Sequence, residues 1–82
     1  MAAFNGSCQI RRAGINTADG RVNLDLKAVD GTFDWNWFLC KQEFNHEILE
    51  IALAAISSNK NVYMQTNDTV AWSEIYFFDL EK

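Results

Sequence analysis

Residues 21–28 alternate strictly between polar and apolar side chains, and this constrains the fold more than any other feature. In this segment, RVNLDLKA, every even-numbered residue is apolar and every odd-numbered residue is polar. A period of two places all the apolar side chains on one side of an extended chain, which predicts a strand with one buried face. Asp19-Gly20 precedes the segment and Asp30-Gly31 follows it, and such pairs are typical of tight turns between strands. The sequence therefore predicts a β-meander with this strand in the middle.

In the strand before it, the apolar residues do not keep one alternating pattern. Cys8 and Ile10 share one phase, whereas Ala13 and Ile15 share the other. One regular strand cannot satisfy both, because side chains alternate with a period of two. We therefore predict an extra residue near Arg11-Arg12, as a β-bulge or a sharp bend.

The strand after it is predicted over residues 33–39 and is rich in aromatic side chains. Its alternation places four apolar residues on one face: Phe33, Trp35, Trp37 and Leu39. The ordinary interpretation of such a face is that it lines the core. Phe38 then falls on the outer face, where we expect it to contact a neighbouring chain.

The period of the apolar pattern changes at Asn45 from that of a strand to that of a helix. Asn often caps helix N-termini, and a helix is predicted over residues 45–56. Its apolar side chains fill an arc of roughly 200°, whereas a surface helix needs a stripe only slightly wider than about 100°. This excess of apolar surface predicts a second contact, beyond the helix's own domain.

Residues 61–66 and 72–80 then read as two more strands. The last strand is apolar on both faces: Ile75 and Phe77 on one, and Trp72, Tyr76, Phe78 and Leu80 on the other.

The order strand, strand, strand, helix, strand, strand, with a bent first strand, predicts a mainly β chain with one helix. It is the order of the OB-fold, a five-stranded Greek-key barrel, and an α+β sandwich is the alternative. The 82 residues, with no proline and 22% charged side chains, indicate a single ordered domain over residues 1–82. No apolar run approaches the length of a membrane span, so membrane insertion is not expected.

Part of the chain resembles a known protein family. Residues 51–63, IALAAISSNKNVY, resemble the alanine-rich helix, polar break and Val-led strand of the OB-fold B-subunits of AB-type bacterial toxins. The closing segment, residues 72–77, is similar to the last strand of the same proteins. The resemblance implies a homo-oligomeric ring, usually a pentamer, that binds cell-surface glycans with its helices around a central pore. The surplus apolar surface of the helix, of Phe38 and of the last strand predicts an oligomer interface formed by these residues: Phe38, Leu49, Leu53, Ile56, Tyr76 and Phe78.

The sequence Trp35-Asn36-Trp37 is the candidate ligand-binding site. Indole rings stack on sugar rings and on bases, and an amide can hydrogen-bond hydroxyl groups. The alternative is that both tryptophans simply line the barrel. The predicted function is thus a non-enzymatic, self-associating binding module with a glycan or another small polar ligand.

Single-stranded nucleic acid is the second candidate ligand, because OB-folds bind it through aromatic side chains in a positive groove. Seven Lys and Arg residues against eleven Asp and Glu residues argue against it. A structural subunit of a hetero-complex is the third interpretation.

The sequence offers little for catalysis. His46 is the single histidine, and no third residue completes a Cys–His arrangement with Cys8 or Cys40. No metal site or cofactor is predicted, because no closely spaced cysteine pair exists.

The two cysteines are either a disulfide or two buried free thiols. The N-terminus lacks signal-peptide features, which predicts a cytoplasmic protein unless a signal has been removed.

Overall fold

The computed structural model describes residues 3–81. The chain is mainly β with one α-helix, in the predicted order. The elements are β1 Phe4–Asn16, β2 Arg21–Ala28, β3 Asn36–Leu39, a short 3₁₀ turn Gln42–Phe44, α1 Asn45–Ser58, β4 Val62–Thr66 and β5 Ser73–Leu80.

The five strands form a closed barrel in the order β1-β2-β3-β5-β4, with β4 pairing back to β1. All the strand pairs are antiparallel except β3–β5, which is parallel and joins only Phe38 to Ser73 and Leu39 to Glu74. The predicted five-stranded barrel is confirmed. Its closing contact is the shortest pairing in the sheet.

The predicted β-bulge lies in β1. Ile10 pairs with Leu26 and Arg12 pairs with Asp25, which leaves Arg11 as the extra residue. In a regular strand, consecutive side chains point to opposite faces. The bulge removes this alternation locally, so Arg11 and Arg12 both reach the outer surface of the barrel.

The core lies inside the barrel and beneath α1. The predicted buried face of β2 is confirmed, because its even-numbered side chains, Val22, Leu24, Leu26 and Ala28, are buried. The helix is buried only at Ala52 and Ala55, two small residues that let it approach the barrel closely. Ile48, Leu49 and Ile51 pack half-buried against the core, so within the wide apolar arc only Leu53 and Ile56 are exposed.

The predicted orientation of the third strand is wrong. Phe38 is fully buried at 0% exposure, and its ring lies 5.1 Å from that of Phe33. Trp37 and Leu39 lie on the opposite, outer side and are half-buried. The strand begins only at Asn36, after a bend over residues 31–35, so the alternation restarts there. Because Phe38 fills the core, it cannot contact a neighbouring chain.

The last strand also departs from its predicted phase. Gln65 pairs with Phe77 but Thr66 pairs with Ile75, so Tyr76 is an extra residue. This bulge separates buried Ile75 from exposed Phe77, which were predicted to share a face. It also turns Phe78 toward the core, against which it packs half-buried.

Asn45 is the first helical residue rather than the cap, so the helix begins one residue earlier than a cap at Asn45 predicts. The Asn45 side chain instead donates to the Gly20 carbonyl at 2.5 Å and accepts from the Val22 amide at 3.3 Å, which ties the helix to the β1–β2 hairpin. Asn59 ends the helix in a left-handed conformation, with φ of 54°. Among residues 3–81, no helix is long and apolar enough to cross a membrane.

Candidate functional site

A compact group of tryptophan and arginine side chains covers the outer surface of β1, β2 and β3. We call it the tryptophan–arginine face; its members are Arg11, Arg12, Asp25, Trp35, Trp37 and Trp72. The β-bulge supplies the two arginines, and β3 with the bend before it supplies two of the tryptophans. Trp72 comes from the loop that leads into β5.

Asp25 forms the floor of this face. It lies on the outer side of β2 yet is only 1% exposed, because the side chains above it exclude solvent. Its Oδ2 atom accepts from Arg11 Nε at 2.6 Å and from Arg12 Nε and Nη2 at 3.2 Å. A buried carboxylate is costly unless charged donors surround it, and here two guanidinium groups do so.

The two guanidinium groups also cover two indole rings. The Arg11 guanidinium carbon lies 4.4 Å from the ring centre of Trp35, and that of Arg12 lies 4.8 Å from Trp37. These are cation–π distances. The arginine side chains remain 49% and 60% exposed. Both terminal nitrogens of Arg11 and Nη1 of Arg12 have no hydrogen-bond partner within residues 3–81, so they can donate to a ligand.

Trp72 is held in an unusual conformation. Its φ is +68°, a left-handed value that is rare for a bulky side chain. Its amide donates to the Trp37 carbonyl at 2.7 Å, and the two rings are almost parallel, 7° apart, with centres 6.1 Å apart. The ring is nevertheless 52% exposed. Strained backbone of this kind concentrates at binding sites, where the surrounding structure maintains it.

The structure brings the predicted ligand residues Trp35 and Trp37 together in this face. The third, Asn36, is already occupied: its Nδ2 donates to the Thr69 carbonyl at 2.9 Å, and its Oδ1 accepts from the Trp37 amide at 3.1 Å. Asn36 therefore fastens the β4–β5 loop to β3, which places Trp72 beside Trp37.

Sequence reasoning missed Arg11, Arg12, Asp25 and Trp72 as members of the site. The phase break in β1 was a signal for the two arginines, because a bulge at that point turns consecutive residues to one face. No signal in the sequence linked Trp72 to Trp37, since these residues are far apart in the chain and meet only where the β3–β5 pairing and the Asn36–Thr69 hydrogen bond bring their segments together.

Of the residues predicted for an oligomer interface, Ile56 lines a groove together with Trp35 of this face, whereas Tyr76 and Phe78 line a different groove. Leu53, Ile56 and Tyr76 are exposed, whereas Leu49 and Phe78 are half-buried. A groove of about 340 Å³ runs between α1 and β5, and Phe44, Ile48, Ile51, Tyr76 and Phe77 line most of it. We call it the α1–β5 groove. From Ile75 onward, β5 pairs only with β4 in the part of the chain that is described, so its other edge has no strand beside it.

The two cysteines are free and buried, which excludes the disulfide alternative in this structure. Burial raises the pKa of both the Cys8 and the Cys40 thiols to about 12. His46 pairs with Glu50 at 2.9 Å on the exposed side of α1. Within residues 3–81, no three His, Cys, Asp or Glu side chains lie together in a way that could hold a metal ion.

No protein family matches the sequence of this chain, and no match is found among curated proteins.

Proposed function

We propose that this chain is a non-enzymatic binding module of the OB-fold type that holds a glycan on its tryptophan–arginine face. The observation that carries the proposal is Trp72, whose ring is exposed while its backbone is held in a left-handed conformation beside Trp37. An exposed indole offers an apolar surface to the face of a sugar ring. The free guanidinium nitrogens of Arg11 and Arg12 supply donors for hydroxyl or carboxylate oxygens at its edge.

The strand order supports the OB-fold assignment. A closed five-stranded barrel with a helix between its third and fourth strands is the OB-fold arrangement, and such barrels bind oligosaccharides and oligonucleotides on the face of their second and third strands. The tryptophan–arginine face lies on that surface.

Single-stranded nucleic acid is the second candidate ligand. Two arginines beside three tryptophans are the combination that such ligands require. Asp25 offsets one of the two positive charges, however, and the whole chain carries a net charge of −4. Glycan is therefore favoured, because its binding does not depend on a dense positive field.

A glycan array tests the ligand. We expect the wild-type protein to bind a subset of glycans and Trp72→Ala to lose at least about tenfold in affinity, a typical cost of removing a stacked ring. Val29→Ala is the control, since it removes an exposed apolar side chain outside both this face and the α1–β5 groove. Absence of binding by the wild-type protein would refute the glycan proposal. Tight binding of a labelled oligothymidine at low salt, lost in Trp72→Ala, would favour nucleic acid instead.

The second part of the proposal is self-association into a homo-oligomeric ring through the outer side of α1 and the α1–β5 groove. Leu53 is 57% exposed on α1, and Tyr76 is 54% exposed on β5. Exposed apolar side chains of this size are typical of protein interfaces. The unpaired edge of β5 adds main-chain groups that a neighbouring chain can bond.

Analytical ultracentrifugation of Leu53→Glu tests the assembly. We expect the wild-type protein to sediment as an oligomer at micromolar concentration. The variant should be a folded monomer, because Leu53 contributes little to the core of its own chain. Thr17→Glu adds the same charge at an exposed position of the β1–β2 turn, outside α1, and should leave the assembly intact. A monomeric wild-type protein contradicts the proposal, and so does an unchanged oligomer in Leu53→Glu.

A further inference from the structure

We propose that a groove at the C-terminal end of α1 is a second sugar subsite, which holds a later ring of an oligosaccharide whose first ring lies on Trp72. This inference rests on the proposed glycan function. The groove has a volume of about 240 Å³ and runs between β1, Trp35 and the turn after the helix. We call it the amide groove, after the side chains that surround it: Gln9, Asn59 and Asn61, together with Lys60.

The polar groups of these side chains are available to hydrogen-bond a ligand. Within residues 3–81, neither the three amides nor the Lys60 ammonium forms a side-chain hydrogen bond or ion pair. A carboxamide presents a donor and an acceptor together, which matches the hydroxyl groups of a sugar. Ile10 and Ile56 contribute apolar surface below them, and Trp35 forms one wall. Apolar surface with a few converging polar groups is the usual composition of a small-molecule site.

The backbone around the amide groove is fixed. Asn59 ends the helix in a left-handed conformation, and its amide donates to the carbonyls of Ala55 and Ile56. The Lys60 amide donates to the Ala55 carbonyl at 2.9 Å, and the Asn61 carbonyl accepts from Glu81 at 3.1 Å. The three consecutive side chains are thus presented by a hydrogen-bonded turn, which lowers the entropic cost of ordering them on binding.

Trp35 connects the amide groove to the tryptophan–arginine face. Its ring lies under the Arg11 guanidinium at 4.4 Å and also lines the groove. Arg11 and Arg12 meet on the same oxygen of Asp25, and Arg12 covers Trp37, which stacks with Trp72. A continuous row of rings and guanidinium groups therefore leads from Trp72 to the groove. This arrangement suits an extended ligand of several sugar units rather than a single monosaccharide.

The test combines a glycan array of mono- to tetrasaccharides with a variant of the amide groove. In Asn59→Gly/Asn61→Ala both amides are lost, and glycine accepts the left-handed backbone at position 59. We expect about tenfold weaker binding of the oligosaccharides that the wild-type protein selects and unchanged binding of their terminal monosaccharides. Trp72→Ala should weaken both. Asn5→Ala, which removes an exposed amide elsewhere on β1, is the control and should change neither.

The outcomes separate the two proposals. Wild-type binding with no loss in Asn59→Gly/Asn61→Ala overturns the second subsite and leaves the glycan function standing. Absence of wild-type binding to any glycan overturns both. If the wild-type protein binds oligothymidine and Asn59→Gly/Asn61→Ala binds it more weakly, the amide groove holds part of a nucleotide chain. The proposal of a sugar subsite is then wrong. Circular dichroism of each variant shows whether a loss comes from unfolding.

Discussion

The tryptophan–arginine face and the α1–β5 groove both carry exposed aromatic rings, but the rings have different neighbours. In the face, Trp35 and Trp37 lie beneath guanidinium groups that a buried carboxylate holds in place. In the groove, Phe77 contacts the ring of Tyr63 edge-to-face, with centres 5.9 Å apart. No charged group is stacked on the groove's aromatic rings in the part of the chain that the structure describes.

The difference separates two uses of aromatic surface. Rings surrounded by charged donors suit a polar ligand that exchanges its water for hydrogen bonds. Rings surrounded by aliphatic side chains suit another apolar surface, and they gain free energy mainly by leaving water. Eleven aromatic residues in a chain of 82 are thus divided between core, ligand face and apolar groove.

The largest effect is expected from removing both arginines of the face. Arg11→Ala/Arg12→Ala leaves Asp25 without its charged partners and lets water reach it, so we expect the free energy of unfolding to fall by about 3 kcal/mol, the low end of the cost of breaking a buried ion pair. Urea denaturation followed by tryptophan fluorescence measures it. The paired change in the groove, Phe44→Ala/Phe77→Ala, should cost clearly less, because both rings are about half exposed.

A third substitution distinguishes the cause. If the loss comes from the unpaired carboxylate, adding Asp25→Asn to the double arginine variant should recover most of it, because a neutral amide is less costly to bury. No recovery would mean that the arginines stabilise the barrel by covering the tryptophans, and the role of Asp25 as an ionic floor would be wrong.

The next effect concerns the buried thiols, one of which lines the α1–β5 groove. The pKa of Cys8 and of Cys40 is about 12 in the folded protein, raised from 9.0 by burial, so folding favours the protonated thiols. This stabilisation is complete below pH 9 and is lost as the pH rises toward 12. By about pH 10 it should have decreased by about 2–3 kcal/mol for the two thiols together.

Urea midpoints across this pH range check the prediction, and Cys40→Ala should remove about half of the dependence. The rate of reaction with a thiol reagent adds a test of the groove. Cys40 should react far more slowly in the native protein than in urea, because it is buried beneath the groove. Equal rates would show that the groove opens to its floor.

The smallest effect isolates the strain at Trp72. Glycine adopts a positive φ without a steric penalty, whereas alanine does not. We therefore expect Trp72→Gly to be more stable than Trp72→Ala by about 1 kcal/mol, with ligand binding lost in both. Thermal melting of the two variants gives the difference. Equal stabilities would mean that the left-handed backbone at position 72 carries no free-energy cost. One argument for placing the ligand on Trp72 would then be lost.

Much of the fold could be predicted because its signals are local. The alternation of β2 gave its bounds and its buried face, and the two phases in β1 gave the bulge. The errors arose where a strand was assumed to continue unbroken. The bend over residues 31–35 reversed the orientation of Phe38, and the bulge at Tyr76 separated Ile75 from Phe77. An apolar residue fits either face of such a strand, so its sequence does not reveal the interruption.

Only part of the candidate site could be predicted, for a different reason. Trp35 and Trp37 are only two positions apart in the sequence and could be singled out together. Their partners could not, because Arg11, Arg12 and Trp72 reach them only after three separate parts of the chain have been brought side by side. The burial of Asp25 also depends on those neighbours, and its position on the polar side of β2 predicted exposure.

The short pairing between β3 and β5 has a consequence for the whole barrel. Two residue pairs close it, and they are reinforced by the Trp72–Trp37 hydrogen bond and by the ion pair between Arg21 and Glu74, at 2.5 Å. The seam of the barrel thus runs beneath the proposed binding surface. A ligand bound to both rings would contact the two sides of the β3–β5 pairing. Its binding free energy would therefore add to the free energy of unfolding of the whole chain. Ligand binding would thus stabilise the closed barrel against opening at this pairing.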